Sequence, residues 1–246
     1  MPRFFIRQNQ IEEKENERVI TITGDDAHHI SRSLRMAVGE KIEVCDMQKS
    51  LYECELVGFF DGYVTARILS EGKAETEPPC FIRLYQALAK GDKMETIVQK
   101  SIECGACEIV PFSSERCVVR LDKKDAGKKV ERWQKIAESA SKQSGRGIIP
   151  QVKPVLSFSE MLDSLDGTVL FCYEGEDTVS IREALEKTEI KDCVSVIIGS
   201  EGGFSLKEAE LLKQRGAISV SLGKRILRCE TAPTFALSCI SYHLEL

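Results

Sequence analysis

Two short runs, Val169-Leu170-Phe171-Cys172-Tyr173 and Val194-Ser195-Val196-Ile197-Ile198, are almost wholly apolar and rich in β-branched or aromatic residues. Such runs suit strands buried on both faces, as in a parallel sheet. Parallel neighbours need crossover connections, and from residue 81 onward helical patterns do alternate with strand patterns. Strands are expected over Phe81 to Leu88, Cys107 to Pro111 and Ile218 to Leu222. Helices are expected over Asp92 to Cys104, with Gly105 as its stop, over Asp125 to Gln143 and over Ala232 to Leu244. In the long middle helix Trp133, Ile136, Ala137 and Ala140 fall at helical spacing. The resulting fold class is α/β with a parallel sheet.

Residues 1–72 read differently. Val19 to Ile22, Lys41 to Val44, Tyr52 to Leu56 and Tyr63 to Ile68 are short β-rich runs bounded by Gly or Asp turns, with a short helix over Ile30 to Met36. Glu71 to Pro79 is polar, charged and proline-ended, which marks a linker. Two domains are therefore expected, 1–72 and 73–246.

Hydrophobic residues at 42% and charged residues at 30% leave room for a packed core and exclude wholesale disorder. No apolar run approaches the roughly 20 residues of a membrane helix. Met1 to Arg7 is too short and too charged for a secretory signal. The expected location is the cytoplasm, with no membrane partner. The ten cysteines then read as free thiols in apolar surroundings. Cys104-Gly105-Ala106-Cys107 is the one CxxC, and His28, His29 and His243 are the only histidines, so thiols at a helix end are expected and no metal site.

The net charge of −5 argues against a simple nucleic-acid binder. Between Glu115 and Lys153, however, eleven lysines and arginines face five acids, a local charge of +6. That stretch fits either a phosphate-contacting surface or a solvated helix face.

The chemistry should sit where strands end. Val194 to Glu208 is a buried strand, a loop holding Gly199, Gly202 and Gly203, and a helix opened by the Ser205/Glu208 capping spacing. Glycines there allow positive φ and close approach to a ligand; a plain tight turn would use them too. The loop is neither a P-loop nor a G-x-G-x-x-G. Ser219 to Pro233 repeats the plan: a strand ends at Gly223, Arg225, Arg228 and Glu230 crowd around Ile226 and Leu227, and Thr231 and Pro233 open a helix. A third strand runs through Tyr173 to Glu174. Ligands in open α/β sheets bind beyond such carboxyl ends.

Ile198 to Ser205 together with Leu222 to Ala232 resembles the cofactor-binding signature of the RsmE family of 16S ribosomal RNA uridine-N3 methyltransferases. Further similar segments are Met1 to Phe5, His28 to Arg35, Ala89 to Glu95, Val98 to Lys100, Ser114 to Arg116, Glu131 to Ala137 and Gln143 to Arg146. They occur in order along nearly the whole chain. Ser200 stands where the family often has Pro, and Cys229 where it often has Thr.

The resemblance implies a SPOUT-type domain with a C-terminal trefoil knot, preceded by a PUA-like β-barrel that binds RNA. It implies a homodimer with the knot at its interface, and one uridine of 16S ribosomal RNA, in the small ribosomal subunit, as substrate. S-adenosyl-L-methionine would lie against Tyr173, Glu174, Ile198, Gly199, Ser200, Glu201, Gly202, Gly203, Leu222, Gly223, Ile226, Leu227, Arg228, Thr231 and Ala232. Arg228 would stabilise the developing uridine anion, or pair with Glu230 to hold its loop. Glu201 or Glu230 would accept the proton. RNA is expected at Arg3, Arg7, Arg32 and Arg35 and at Lys90, Lys93, Lys100, Lys142 and Arg146. The competing expectations are a different SPOUT enzyme, a non-catalytic assembly factor and, with no P-loop lysine, a nucleotide-binding enzyme.

Overall fold

The computed structural model describes residues 1–14, 17–48, 50–173 and 178–246. They form two compact units, Met1–Glu77 with Ser141–Ile149, and Pro78–Ala140 with Pro150–Leu246.

In the first unit β1 (Arg3–Phe5), β2 (Ile11–Lys14), β3 (Glu17–Thr23), β4 (Lys41–Cys45), β5 (Ser50–Phe60) and β6 (Tyr63–Lys73) make one sheet, ordered β1-β4-β5-β6-β3-β2. Only the β1–β4 pair is parallel. Alternation sets the buried face: Ile20 and Ile22, Ile42 and Val44, Cys54 and Leu56, and Val64 and Ala66 are all fully buried in one core. Each large aliphatic among them contributes about 1.5–3 kcal/mol on burial.

Three expectations need correction here. The helix begins earlier than Ile30: α1 spans Gly24–His28 and passes into a wider turn over His29–Ser33. Asp25 and Asp26 suit its positive amino end, and Arg35 leaves the turn in the left-handed region at φ 53°. The expected linker is also partly strand, because β6 pairs with β5 as far as Lys73 opposite Ser50. Finally, the first unit extends to Glu77 and takes in Ser141–Ile149. Arg146 and Glu77 form a buried ion pair at 2.6 Å. Arg3 donates to the carbonyls of Gly145 and Arg146, and Lys142 pairs with Asp26.

The second unit alternates as its sequence suggests. Its elements are β7 (Phe81–Ala87), α2 (Lys93–Glu103), β8 (Glu108–Ser113), α3 (Lys123–Ser144, whose last turn belongs to the first unit), β9 (Gln151–Val152), β10 (Leu156–Ser157), α4 (Phe158–Asp163), β11 (Thr168–Cys172), β12 (Val179–Ser180), α5 (Ile181–Lys187), β13 (Cys193–Ile198), α6 (Leu206–Gln214), β14 (Ile218–Ser221) and α7 (Ala232–Glu245). The sheet runs β10-β8-β7-β13-β11-β14-β12, with β9 also on β8, and every pair is parallel. Residues Val194 to Ile198 of β13 are buried throughout, as a central strand covered on both faces requires. Because all strands point one way, the carboxyl ends of β8, β7, β13, β11 and β14 share one edge.

The ten cysteines are free thiols, and burial pushes the Cys54 thiol up to about 12. Among the described residues no helix is long and apolar enough to cross a membrane.

Candidate functional site

At the end of β13 the chain turns sharply. The Gly203 amide donates to the Ser200 carbonyl at 2.9 Å, and Gly203 has φ 65°. A methyl group on Gly199 would stand 3.1 Å from the Gly203 Cα, and one on Gly202 would stand 2.9 Å from the Arg116 Cβ. The glycines are thus needed for backbone packing, and a left-handed residue closes the turn. Ser205 then caps α6: its hydroxyl accepts from the Glu208 amide, and the Glu208 carboxylate accepts the Ser205 amide at 2.9 Å. From the other side of the loop, Gln86 at the end of β7 donates to the Gly199 carbonyl at 3.4 Å.

The facing wall comes after β14. Gly223 takes φ 107° and begins an irregular stretch. It ends where the amides of Thr231 and Ala232 both donate to the Arg228 carbonyl at 2.9 Å and α7 starts, with Pro233 in its first turn. The third wall is the end of β11, where the Tyr173 amide donates to the Val220 carbonyl at 3.1 Å. Phe171 stacks on Tyr173 and meets Phe204 edge-on.

These walls enclose a pocket of about 640 Å³, within the range that takes a drug-sized ligand. Of the residues that the resemblance placed against the cofactor, Tyr173, Ile198, Gly199, Ser200, Glu201, Gly202, Gly203, Leu222, Ile226, Leu227, Arg228 and Ala232 line it. Gly223 and Thr231 do not; they shape the backbone beside it. Glu174 lies outside the described residues. Cys172, Phe204, Val220, Ser221, Arg225 and Cys229 also line the pocket; each lies inside a segment the sequence singles out, but none was named as a cofactor residue. Arg116 was missed because it comes from the turn after β8. Its signals were a polar segment behind a strand that ends at the same edge and the family resemblance of Ser114 to Arg116.

The Ser200 hydroxyl is buried and has no hydrogen-bond partner among the described residues. A buried polar group left this way costs free energy that a ligand can recover.

The charges are arranged around Lys93. Its ammonium lies 3.0 Å from Glu201 and 3.5 Å from Glu230, one on each wall. Partial burial would raise the Glu201 carboxyl, but the Lys90 amide at 3.0 Å and the Lys93 ammonium hold it below its ordinary value. Glu230 is likewise held low against its partial burial, by the Cys229 thiol at 3.2 Å and by Lys93. Both carboxylates are therefore weak bases, and proton acceptance by either is disfavoured. The expected Arg228–Glu230 pair is replaced by Lys93–Glu230. Among the described residues no carboxylate pairs with Arg228, which is exposed.

The residues expected to meet RNA divide. Arg7, Arg32, Arg35 and Lys90 are exposed. Lys100 is paired with Glu103 on its own helix. Lys93 serves the pocket. Arg3 and Lys142 hold the first unit together, and Arg146 is buried against Glu77, so Arg146 has no surface to offer a phosphate. No group of histidine, cysteine and acidic residues that could hold a metal is found among the described residues.

A family model for an RNA methyltransferase domain matches residues 76–241, and one for an RNA methyltransferase PUA domain matches residues 22–69. The chain is similar to ribosomal RNA small subunit methyltransferase E of Bacillus subtilis, 37% identical with 100% of this chain and 98% of the relative covered. It is also similar to the protein of that name from Synechocystis, 32% identical with 93% and 75% covered. Among solved structures it is similar to a ribosomal RNA small subunit methyltransferase E from Neisseria gonorrhoeae bound to S-adenosyl methionine, with a TM-score of 0.85 and 31% identity over 98% of this chain and 97% of that one. With a domain match over most of its length and relatives that align end to end, the chain belongs to the ribosomal RNA small subunit methyltransferase E family of RNA methyltransferases.

Proposed function

We propose that the chain methylates N3 of a uridine in 16S ribosomal RNA of the small ribosomal subunit, with S-adenosyl-L-methionine as methyl donor. The observation that carries this reading is the pocket between the two glycine loops, with the Ser200 hydroxyl in its wall and without a partner among the described residues.

The residues present fit the cofactor. Ser200 and the backbone around Gly202 offer polar partners, while Phe204, Leu222, Ile226, Leu227 and Ala232 offer apolar surface. When bound, S-adenosyl-L-methionine supplies a methyl group already activated on a sulfonium. The chain then mainly has to align the acceptor nitrogen, and alignment alone can reach effective molarities of about 10⁵–10⁸ M. The target base must be unpaired or drawn out of its stack. Arg228 is a permanent cation on the pocket wall, suited to stabilise the uracil oxygens once the N3 proton has left. Glu201 and Glu230, tied to Lys93, hold the two loops, and the proton passes to water.

The finer reading includes a trefoil knot formed by the segments after β11, β13 and β14, a PUA-like β-barrel in the first unit, a homodimer and a cytoplasmic location. The adjacency of those three strands supports the first. The exposed Phe235 and Tyr242 of α7 support a partner surface, and the free thiols support a reducing compartment. The domains of this reading are 1–72, extended to Glu77 and by Ser141–Ile149, and the rest of 73–246.

Methyl transfer from labelled S-adenosyl-L-methionine to unmodified small subunits, with nucleoside analysis of the product, tests the reading. Label recovered as 3-methyluridine supports it. Label in another nucleoside, or cofactor bound without transfer, overturns the assignment.

A further inference from the structure

One cation reaches the pocket from outside its three loops. Arg116 lies in the turn after β8, where the Cys117 amide donates to the Ser114 carbonyl at 3.2 Å. Its Nη1 donates to the Gly202 carbonyl at 3.1 Å, across 86 positions of sequence. The Arg116 Cβ and carbonyl are packed so closely on Gly202 that no side chain fits between them.

Glu208 fixes this placement from below. It is 5% exposed; one carboxylate oxygen accepts the Glu115 amide at 2.8 Å and the other accepts the Ser205 amide at 2.9 Å. A single buried carboxylate thus joins the Arg116 turn to the cap of α6. An arginine ordinarily loses much rotamer freedom on binding. Here the backbone and the first part of the side chain are already placed.

Beyond the bond to Gly202, no other side-chain hydrogen bond or ion pair engages the guanidinium among the described residues. Arg116 is exposed, and among the described residues no carboxylate pairs with it, nor with Arg225 or Arg228 on the same pocket. A guanidinium has five N–H donors, and one is used on Gly202. The carboxylate in the pocket lining, Glu201, is already neutralised by Lys93. Among the described lining residues the charges left without an opposite partner are therefore cationic, a pattern that attracts anions. The planar fork suits two oxygens of one phosphate.

We propose that Arg116 is a phosphate anchor: it takes a backbone phosphate of the RNA beside the target nucleotide and so sets how that nucleotide enters the pocket. This rests on reading the pocket as the methyl-transfer site. An exposed guanidinium serves a ligand lying along the surface, as a polynucleotide does, better than one filling the cavity. Phosphate contacts of this kind fix register while the pocket selects the base.

The test uses the full chain with Arg116→Gln and Arg116→Lys. Cofactor affinity is measured by calorimetry, affinity for small-subunit ribosomal RNA across a salt series, and steady-state turnover. Cofactor Kd is expected to stay within about twofold of the parent. For Arg116→Gln, RNA binding should weaken about 5–10-fold, with the salt slope lower by roughly one, and KM for RNA should rise with kcat little changed. Arg116→Lys should keep the salt slope and recover part of the affinity. Loss of cofactor affinity with the RNA salt slope intact would assign Arg116 to the cofactor carboxylate and overturn the proposal. So would parent-like behaviour in every measurement. If the parent binds RNA but forms no 3-methyluridine, the function reading fails, while the salt slope still reports on the anchor.

Discussion

Lys93 and Glu201 lie 3.0 Å apart, and the same ammonium is 3.5 Å from Glu230. One side chain of α2 therefore ties the glycine loop to the loop before α7. Partly exposed ion pairs contribute about 0.2–1 kcal/mol each. Lys93→Met is expected to weaken cofactor binding by about fivefold, with Lys93→Arg near the parent. Calorimetric titration decides it; unchanged affinity in Lys93→Met would show that the loops hold their positions without the tie.

Acid should act on the same carboxylates. Glu201 and Glu230 are held below their ordinary 4.5 against the effect of burial, and Asp46 below 3.8 with the Gln48 and Ser50 amides on its carboxylate. A carboxyl lowered in the folded state contributes stability that is full above its unfolded value and is lost as pH falls through the folded one. The thermal midpoint should change little from pH 7 to about 5 on this account and drop below about 4.5. Glu201→Gln and Glu230→Gln should leave the rate profile above pH 6 without a new limb. A limb near neutrality that either substitution removes would restore that carboxylate as the base.

Arg146 and Glu77 form a 2.6 Å ion pair with both side chains under a tenth exposed. Removing one partner leaves the other charged in a poorly solvated place, which costs about 3–5 kcal/mol. Arg146→Met is expected to lose stability on that scale in urea unfolding. A loss under about 1 kcal/mol would mean that water reaches Glu77 easily.

Gly202 and Gly203 should fail differently when changed to alanine. At Gly202 the new Cβ meets the Arg116 Cβ at 2.9 Å, so the two segments must separate. Cofactor binding should fall by tenfold or more with little change in the thermal midpoint. At Gly203 there is open space, but φ is 65°, which costs an alanine about 1–2 kcal/mol. Melting curves and cofactor titrations on both variants separate the two; equal effects would dispose of the distinction.

The pocket was legible because its parts are local. Ser205 and Glu208 announce a helix start in four residues, and β-branched runs announce the strands before each loop. The contacts that could not be read depend on distant partners. Arg116 meets Gly202 86 positions away, and Arg146 meets Glu77 69 positions away. In sequence each is one more basic residue. Whether it faces solvent or lies inside is set by the groups that the fold brings to it. β6 likewise continues through Gly72 because β5 is long enough to pair with it, despite a composition that reads as a linker.

The interleaving of the two units constrains synthesis. Ser141–Ile149 belongs with Met1–Glu77, yet residues 78–140 of the other unit are translated in between. Arg3, Asp26 and Glu77 emerge from the ribosome long before Gly145, Lys142 and Arg146. The first unit cannot be completed until that later segment has been made, whereas an independent leading domain could be. A nascent chain that stops before residue 146 therefore leaves Glu77 without its arginine.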